Sequence, residues 1–192
     1  MSVIEANASI RRARLEDAEA IAAVHVAAWR ESYTGLVPAE MLANLSVEDR
    51  AKRWRRILGE PNPEIRTVAF VSCAPDGAVV GFGSCGLQRS AELAGAGFSG
   101  EFQAIYVLRA AQHRGVGRTL MNAMAHSLQE DGVQGGALWV LEGNQPARGF
   151  YDVLGGMVIA HREDKRGEST VFVEVAYGWT NLTSVAKACV FR

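Results

Sequence analysis

The stretch Gln112-His113-Arg114-Gly115-Val116-Gly117-Arg118 brings two glycines and two arginines to the start of a periodic segment. Val116, Leu120, Met124 and Leu128 recur every fourth residue, which predicts a helix over Gly115–Glu130. The first turn of a helix has amide donors without partners and a partial positive charge. Gly115 and Gly117 carry no side chain that would block approach to those donors, and Arg114 and Arg118 add charge. Together they suit a phosphate or pyrophosphate. The plainer reading of the same residues is a glycine-containing turn ahead of a helix.

Two rival phosphate motifs fare worse. No GxxxxGK followed by Ser or Thr occurs. Gly81-Phe82-Gly83-Ser84-Cys85-Gly86 matches GxGxxG, but no periodic helix follows to receive a pyrophosphate, so these glycines read as close packing within a strand.

Composition narrows the class. The chain has 192 residues, 20 basic and 21 acidic, a net charge of −1, and is 48% hydrophobic. That length favours one domain at about 150 residues per domain. Near-zero charge argues against nucleic acid or an anionic membrane as main partner. No apolar run approaches the ~20 residues of a membrane span, and no signal-peptide pattern follows Met1, so a cytoplasmic location is expected. Cys73, Cys85 and Cys189 form no CxxC pair and read as free thiols. The four histidines show no metal-ligand spacing, so no metal is expected.

The elements that must position the loop follow from pattern. Ile10–Arg14 reads as a strand. Asp17 is placed to cap a helix whose face carries Ala18, Ile21, Ala22, His25, Ala28 and Trp29. Ala39–Leu58 reads as two short helices, with Ser46 and Asp49 as a capping pair and Arg50–Arg56 as a solvated face. Arg66–Ser72 and Ala78–Leu87 form a hairpin around Pro75-Asp76-Gly77. Arg89–Gly100 reads as a mobile loop and Glu101–Leu108 as a strand. Ala137–Leu141 is apolar throughout, as a strand buried on both faces would be. A helix spans Gln145–Leu154, and strands span Met157–Arg162 and Ser169–Tyr177. Residues 1–178 make one domain; 179–192 form a tail with no assigned element. The order predicts an α/β (α+β) fold: a mixed, mostly antiparallel sheet of about six to seven strands with helices on both faces. Its strand-helix-strand unit, Glu101–Leu141, should be a parallel crossover.

Glu101-Phe-Gln-Ala-Ile-Tyr-Val107 followed by Gln112-x-x-Gly115-x-Gly117 resembles motif A of the GNAT superfamily of N-acetyltransferases. Asn144-x-x-Ala147-x-x-Phe150-Tyr151-x-x-x-Gly155 resembles its motif B, and His25-x-x-Ala28-Trp29-x-x-x-Tyr33-x-Gly35-x-x-Pro38 is similar to one bacterial branch. The resemblance spans Ile10 to Tyr177. It implies acetyl-CoA as cosubstrate, with the amides of Arg114, Gly115, Val116, Gly117 and Arg118 on the pyrophosphate. Ile105 and Val107 would pair with the pantetheine arm, the Val107 amide would face the thioester oxygen, and Asn144 would bond the arm. Tyr151 would protonate the departing thiolate. Arg109 stands where the family commonly has proline, and Ala110-Ala111 replaces a bulkier pair.

Transfer to an amine needs the neutral nucleophile, whereas an alkyl ammonium has a pKa of about 10.4. A carboxylate near the strand mouth can accept that proton. Period two places Glu101 on the face of Ile105 and Val107, making it the candidate base; a bulge between them would flip it. Trp29 and Tyr33, one turn apart, are candidates for an acceptor wall, with core packing as the alternative for Trp29. The expected activity is direct acetyl transfer to a small-molecule, peptide or protein amine. A non-catalytic acyl-CoA-binding module is the alternative. Homodimerisation stays open.

Overall fold

Short apolar runs separated by glycine, proline and aspartate turns assemble one seven-stranded sheet. The computed structural model describes residues 8–60, 62–166 and 170–186. The strands are β1 (Ser9–Arg12), β2 (Val68–Cys73), β3 (Val79–Leu87), β4 (Gly100–Val107), β5 (Gly136–Leu141), β6 (Met157–Arg166) and β7 (Thr170–Trp179). They lie in the order β1-β2-β3-β4-β5-β7-β6. Every neighbouring pair is antiparallel except β4–β5. The helices are α1 (Ala18–Tyr33), α2 (Ala39–Ala43), α3 (Val47–Gly59), α4 (Ala91–Gly95), α5 (Val116–Glu130), α6 (Gln145–Val153) and α7 (Thr183–Ala186). Among the described residues no helix is long and apolar enough to cross a membrane.

Helices cover both faces. On one, Ala18, Ile21 and Ala22 of α1 and Ala51 and Trp54 of α3 pack on Ala69, Val71 and Phe82. On the other, Met121, Met124 and Leu128 of α5 pack on Cys85, Phe102, Leu138 and Val175. A fully buried side chain of this size stabilises by about 1.5–3 kcal/mol. β3 can lie under α5 because its glycines leave room: a Cβ at Gly83 would meet the Met124 methyl at 2.8 Å. The GxGxxG run is therefore strand packing, as its sequence context implied.

Three expectations need correction. The segment Arg89–Gly100 is not a loop throughout. Ser90 accepts from the Leu93 amide and starts α4, while Leu93 and Phe98 are buried against Ala137 and Ala176. Its small residues hid that one turn from periodicity. Asp17 does not cap α1 with its side chain; its carboxylate accepts from the Arg14 amide and from both terminal nitrogens of Arg11, each at 2.7 Å. The segment after 178 holds α7, and Leu182 and Val185 join the α5 core.

The remaining difference concerns Glu101. Between Ser84 and Cys85 the β3–β4 register shifts, pairing Ser84 with Ala104 but Cys85 with Phe102. Gln103 is the extra residue of a bulge. Ile105 joins the α5-side core, while Ala104 and Tyr106 pack on the α1 side. The bulge puts Glu101 on the face opposite Ile105 and Val107. There it is buried and bound bidentately by Arg89, at 2.7 and 2.6 Å, beside α4.

Replacing Arg89 by Ala would leave a carboxylate of 8% side-chain exposure without its guanidinium. The expected loss is about 1–3 kcal/mol, read from urea unfolding. An unchanged midpoint would mean that the pair does not hold α4 to β4.

Candidate active site

β4 and β5 are paired only at Gly100↔Gly136 and Glu101↔Ala137, although both strands continue for several residues. Beyond those pairs they separate. A cleft of about 430 Å³ opens there, lined by residues 102–107 of β4 and Leu138, Trp139 and Val140 of β5. The volume lies in the range of small-ligand sites, about 300–1,000 Å³.

Backbone parity determines what β4 offers the cleft. The Leu108 amide donates to the Val80 carbonyl at 2.9 Å, so Tyr106 and Ala104 complete the alternating ladder to β3. The polar backbone groups of Ile105 and Val107 therefore point away from β3, toward the side β5 has left. The Val107 carbonyl accepts from Gln112 Nε2 at 3.0 Å. Both residues line the cleft.

The loop after β4 turns into α5 through two left-handed residues, His113 at φ 58° and Gly115 at φ 81°. Glycine adopts that conformation without steric cost, and Gly115 ends the loop as the helix N-cap. The first bond back to it comes from the Thr119 amide. The amides of Val116, Gly117 and Arg118 precede that bond and lack intrahelical acceptors. Gly115, Gly117 and Arg118 line the cleft; Arg114 lies beside them in the chain. Gly117 has a second reason to be small: a Cβ there would meet the Phe150 ring of α6 at 3.2 Å. The loop's far end is fixed to α1. The Arg109 amide donates to Glu31 Oε2 at 2.8 Å, and its guanidinium donates to the Glu31 carbonyl at 2.7 Å. Proline at 109 could not make the first of these bonds.

Tyr33, Tyr106 and Tyr151 reach the cleft from α1, β4 and α6. Tyr151 is buried, its ring centroid 5.5 Å from that of Tyr177. Burial, then the nearby Tyr106, pushes its phenol well above the ordinary tyrosine value. Burial does the same to Tyr33, reinforced by Tyr106. Both hydroxyls therefore stay protonated at neutral pH. Tyr106 stacks on His25 with centroids 4.9 Å apart and planes 24° apart. His25 Nδ1 accepts from Trp54 Nε1 at 3.4 Å. Burial, then Arg50 and Arg53, lowers its pKa to about 3, so it is a neutral core histidine.

The other expected residues divide. Asn144 lines the cleft and is buried; its Oδ1 caps α6 through the Ala147 amide at 3.3 Å. Trp29 is not among the lining residues. Its ring lies 4.8 Å from Tyr33, with Arg50 over it at 5.6 Å, so it supports Tyr33 from behind. Glu101 also stands apart, held by Arg89. Sequence reasoning missed Tyr106 as a site residue. Its signal was available: on β4 it alternates with Ile105 and Val107. Among the described residues no three of His, Cys, Asp or Glu gather as they would around a metal ion.

Comparison with known proteins agrees with this geometry. The sequence model of the family described as "Acetyltransferase (GNAT) family" matches residues 25–155. The uncharacterized N-acetyltransferase YuaI of Bacillus subtilis (strain 168) is 33% identical over 178 residues, covering 92% of this chain and 95% of that protein. Among solved structures, the PaiA N-acetyltransferase of Thermoplasma acidophilum, in complex with coenzyme A, aligns with a TM-score of 0.64 at 19% identity, over 91% of this chain and 98% of its own. YncA of Salmonella typhimurium, solved with its cofactor acetyl-CoA, aligns with a TM-score of 0.65 at 18% identity, over 92% and 94%. At these identities the solved structures share the fold.

The neutral His25 makes a prediction. Its folded pKa lies below the unfolded value of about 6.5, so below that pH the unfolded chain binds a proton the folded chain refuses. Stability should fall as pH drops from 6.5 toward 3, by up to about 1.4 kcal/mol per pH unit from this group. Urea unfolding between pH 7 and 4.5 should show a shallower decline for His25→Gln than for the wild type. Equal slopes would contradict a buried neutral His25.

Proposed function

The chain belongs to the acetyltransferase (GNAT) family, and on that premise we propose that it moves the acetyl group of acetyl-CoA to a primary amine by direct attack in a ternary complex. The observation that carries this reading is the gap between β4 and β5. There, unpaired strand groups run directly into the unpaired amides at the start of α5.

The residues present fit such a cosubstrate. Amides of Arg114 to Arg118, with the charge of the two arginines, suit the pyrophosphate. The Ile105 and Val107 backbone suits an amide-bearing arm laid along β4 in place of β5, with Asn144 at its flank. The Val107 amide would serve as an oxyanion donor to the thioester oxygen. Acetyl-CoA supplies an acyl group activated by its thiol leaving group.

Tyr151 supplies the proton that the leaving sulfur requires. Burial raises its phenol pKa, so Tyr151 is in the protonated form at neutral pH. A covalent route through cysteine has little support. Cys73 and Cys85 are buried, and burial pushes Cys85 up to about 12, far from thiolate formation at neutral pH. Cys189 lies outside the described residues.

Tyr33 and Tyr106 give the acceptor aromatic faces suited to an ammonium group.

Two measurements test the reading. Acetyl-CoA at a hundred times its dissociation constant should stabilise the protein by about 2.7 kcal/mol. No thermal shift at millimolar acetyl-CoA would remove it as cosubstrate. Tyr151→Phe should lower kcat by about a hundredfold or more while acetyl-CoA affinity stays near wild type. Lost affinity with unchanged kcat would make Tyr151 a packing residue.

A further inference from the structure

One wall of the cleft comes from β5. Past its last pair with β4, Glu101↔Ala137, β5 carries Leu138 and Val140 on the α5 side of the sheet. Trp139 lies on the opposite side, the α1 side, which Ala104 and Tyr106 of β4 share. Trp139 therefore stands across the gap from β4, and Tyr33 joins it from α1; Trp139, Tyr106 and Tyr33 all line the cleft.

Each of these rings has a second planar group against it. The Arg162 guanidinium carbon lies over the Trp139 ring at 4.1 Å. Tyr106 stacks on His25 at 4.9 Å, and Tyr33 lies 4.8 Å from Trp29. Arg162 is itself fixed. It sits opposite Glu174 in the β6–β7 ladder, and its Nε and Nη2 both contact Glu174 Oε2, at 2.7 and 2.6 Å.

Core packing alone does not account for this arrangement. The indole N–H groups of Trp139 and Trp29 are buried and find no acceptor among the described residues. A buried donor without a partner is a cost that Phe or Leu at the same position would avoid. Arg162 also comes from β6, two strands away from β5 in the sheet. A ring needed only to fill volume would not require a guanidinium brought from there.

The chemistry of the walls limits what they can hold. Among the described residues no aspartate or glutamate lines the cleft, and its basic side chains, His113 and Arg118, belong to the loop ahead of α5 and its first turn. A polyamine finds no carboxylate there for its second ammonium. The guanidinium behind Trp139 is already committed to Glu174. A flat ring, by contrast, gains from stacking on aromatic side chains beyond the area it buries. Rings braced from behind lose little freedom on binding, so they separate a flat guest from a puckered one.

We propose that Trp139 is an acceptor-specificity residue, that it selects primary amines carrying a flat aromatic ring close to the nitrogen, and that Arg162 is the positioning residue that holds it. The inference rests on the acetyltransferase reading above and adds the class of acceptor to it. The acceptor's ring rests against Trp139 and Tyr106, with its amine toward the edge of β4 that takes the thioester. Glu174 acts one step further back, by fixing Arg162.

The test follows release of CoA thiol with benzylamine and with cyclohexylmethylamine, which differ in flatness far more than in size. Spermidine and glycinamide represent other acceptor classes. The wild type should turn over benzylamine with a higher kcat/KM than spermidine or glycinamide. Trp139→Met keeps much of the side-chain volume and removes the flat ring. It should lower kcat/KM for benzylamine about tenfold more than for cyclohexylmethylamine, chiefly through KM, with an unchanged acetyl-CoA thermal shift. Comparing each variant with the wild type cancels the different basicities of the two amines. The double variant Arg162→Met, Glu174→Gln removes the clamp without leaving a buried charge alone. It should narrow the same preference by about threefold, and Arg162→Lys, which keeps a cation at the ring, should restore part of it. The double variant also reads the preference if Trp139→Met folds poorly. Equal losses for the two amines in Trp139→Met, or a wild type that prefers spermidine or glycinamide, overturn the inference and leave the acetyltransferase reading intact. A full preference in the double variant overturns the positioning role of Arg162. No turnover of any amine defeats the acetyltransferase reading and the acceptor class together.

Discussion

The structure depends on the failure of two parallel strands to stay together. β4 and β5 share two paired positions and then part, leaving a line of backbone polar groups with no strand to meet them. Buried backbone groups left unpaired cost about 1–3 kcal/mol each, so such a gap persists only where water or a ligand satisfies it. Everything around the gap keeps it open. β3 holds the far edge of β4, β7 holds the far edge of β5, and α5 and α6 close its floor with Phe150 fitted against Gly117. α1 is tied across one end by the bonds between Glu31 and Arg109. The bulge at Gln103 helps, because it re-aims β4 just past the last paired residue.

That geometry separates the site into a backbone half and a side-chain half. On the reading proposed above, the cofactor end would be written in main-chain amides at Ile105, Val107 and the start of α5, where glycine and chain direction matter more than residue chemistry. The acceptor end proposed above would be written in aromatic side chains, and the nearby carboxylates Glu101 and Glu174, which do not line the cleft, are bound to arginines. Arg162 shows the pattern well: it stacks over Trp139 at 4.1 Å while holding Glu174. Such pairing removes Glu174 and Glu101 as simple bases and uses them to fix β-strand and helix positions instead.

Much of this was legible in the sequence. The glycine-bearing loop ahead of α5, the crossover from β4 through α5 to β5, the hairpins and the paired motifs of the GNAT family all show in residue type and spacing. What was not legible turns on single-residue events. Glu101 changes face because of one extra residue in β4, a possibility period-two reasoning can name but cannot locate. α4 escaped because Ala91, Ala94 and Gly95 carry no apolar period, and its cap Ser90 is a common residue. Tyr106 was overlooked because alternation ranked its neighbours by backbone role, whereas its place in the cleft comes with a stack on His25 of α1, far away in sequence.

The central claim is that the unpaired edge of β4 and the first turn of α5 are completed by acetyl-CoA. Amide hydrogen exchange, resolved to single residues with and without saturating acetyl-CoA, addresses it most directly. The account predicts strong new protection at Ile105, Val107 and the amides of Val116 to Arg118, with little change at Tyr106, whose amide is already bonded to β3. Protection elsewhere, with those amides exchanging as fast as in the free protein, would contradict it.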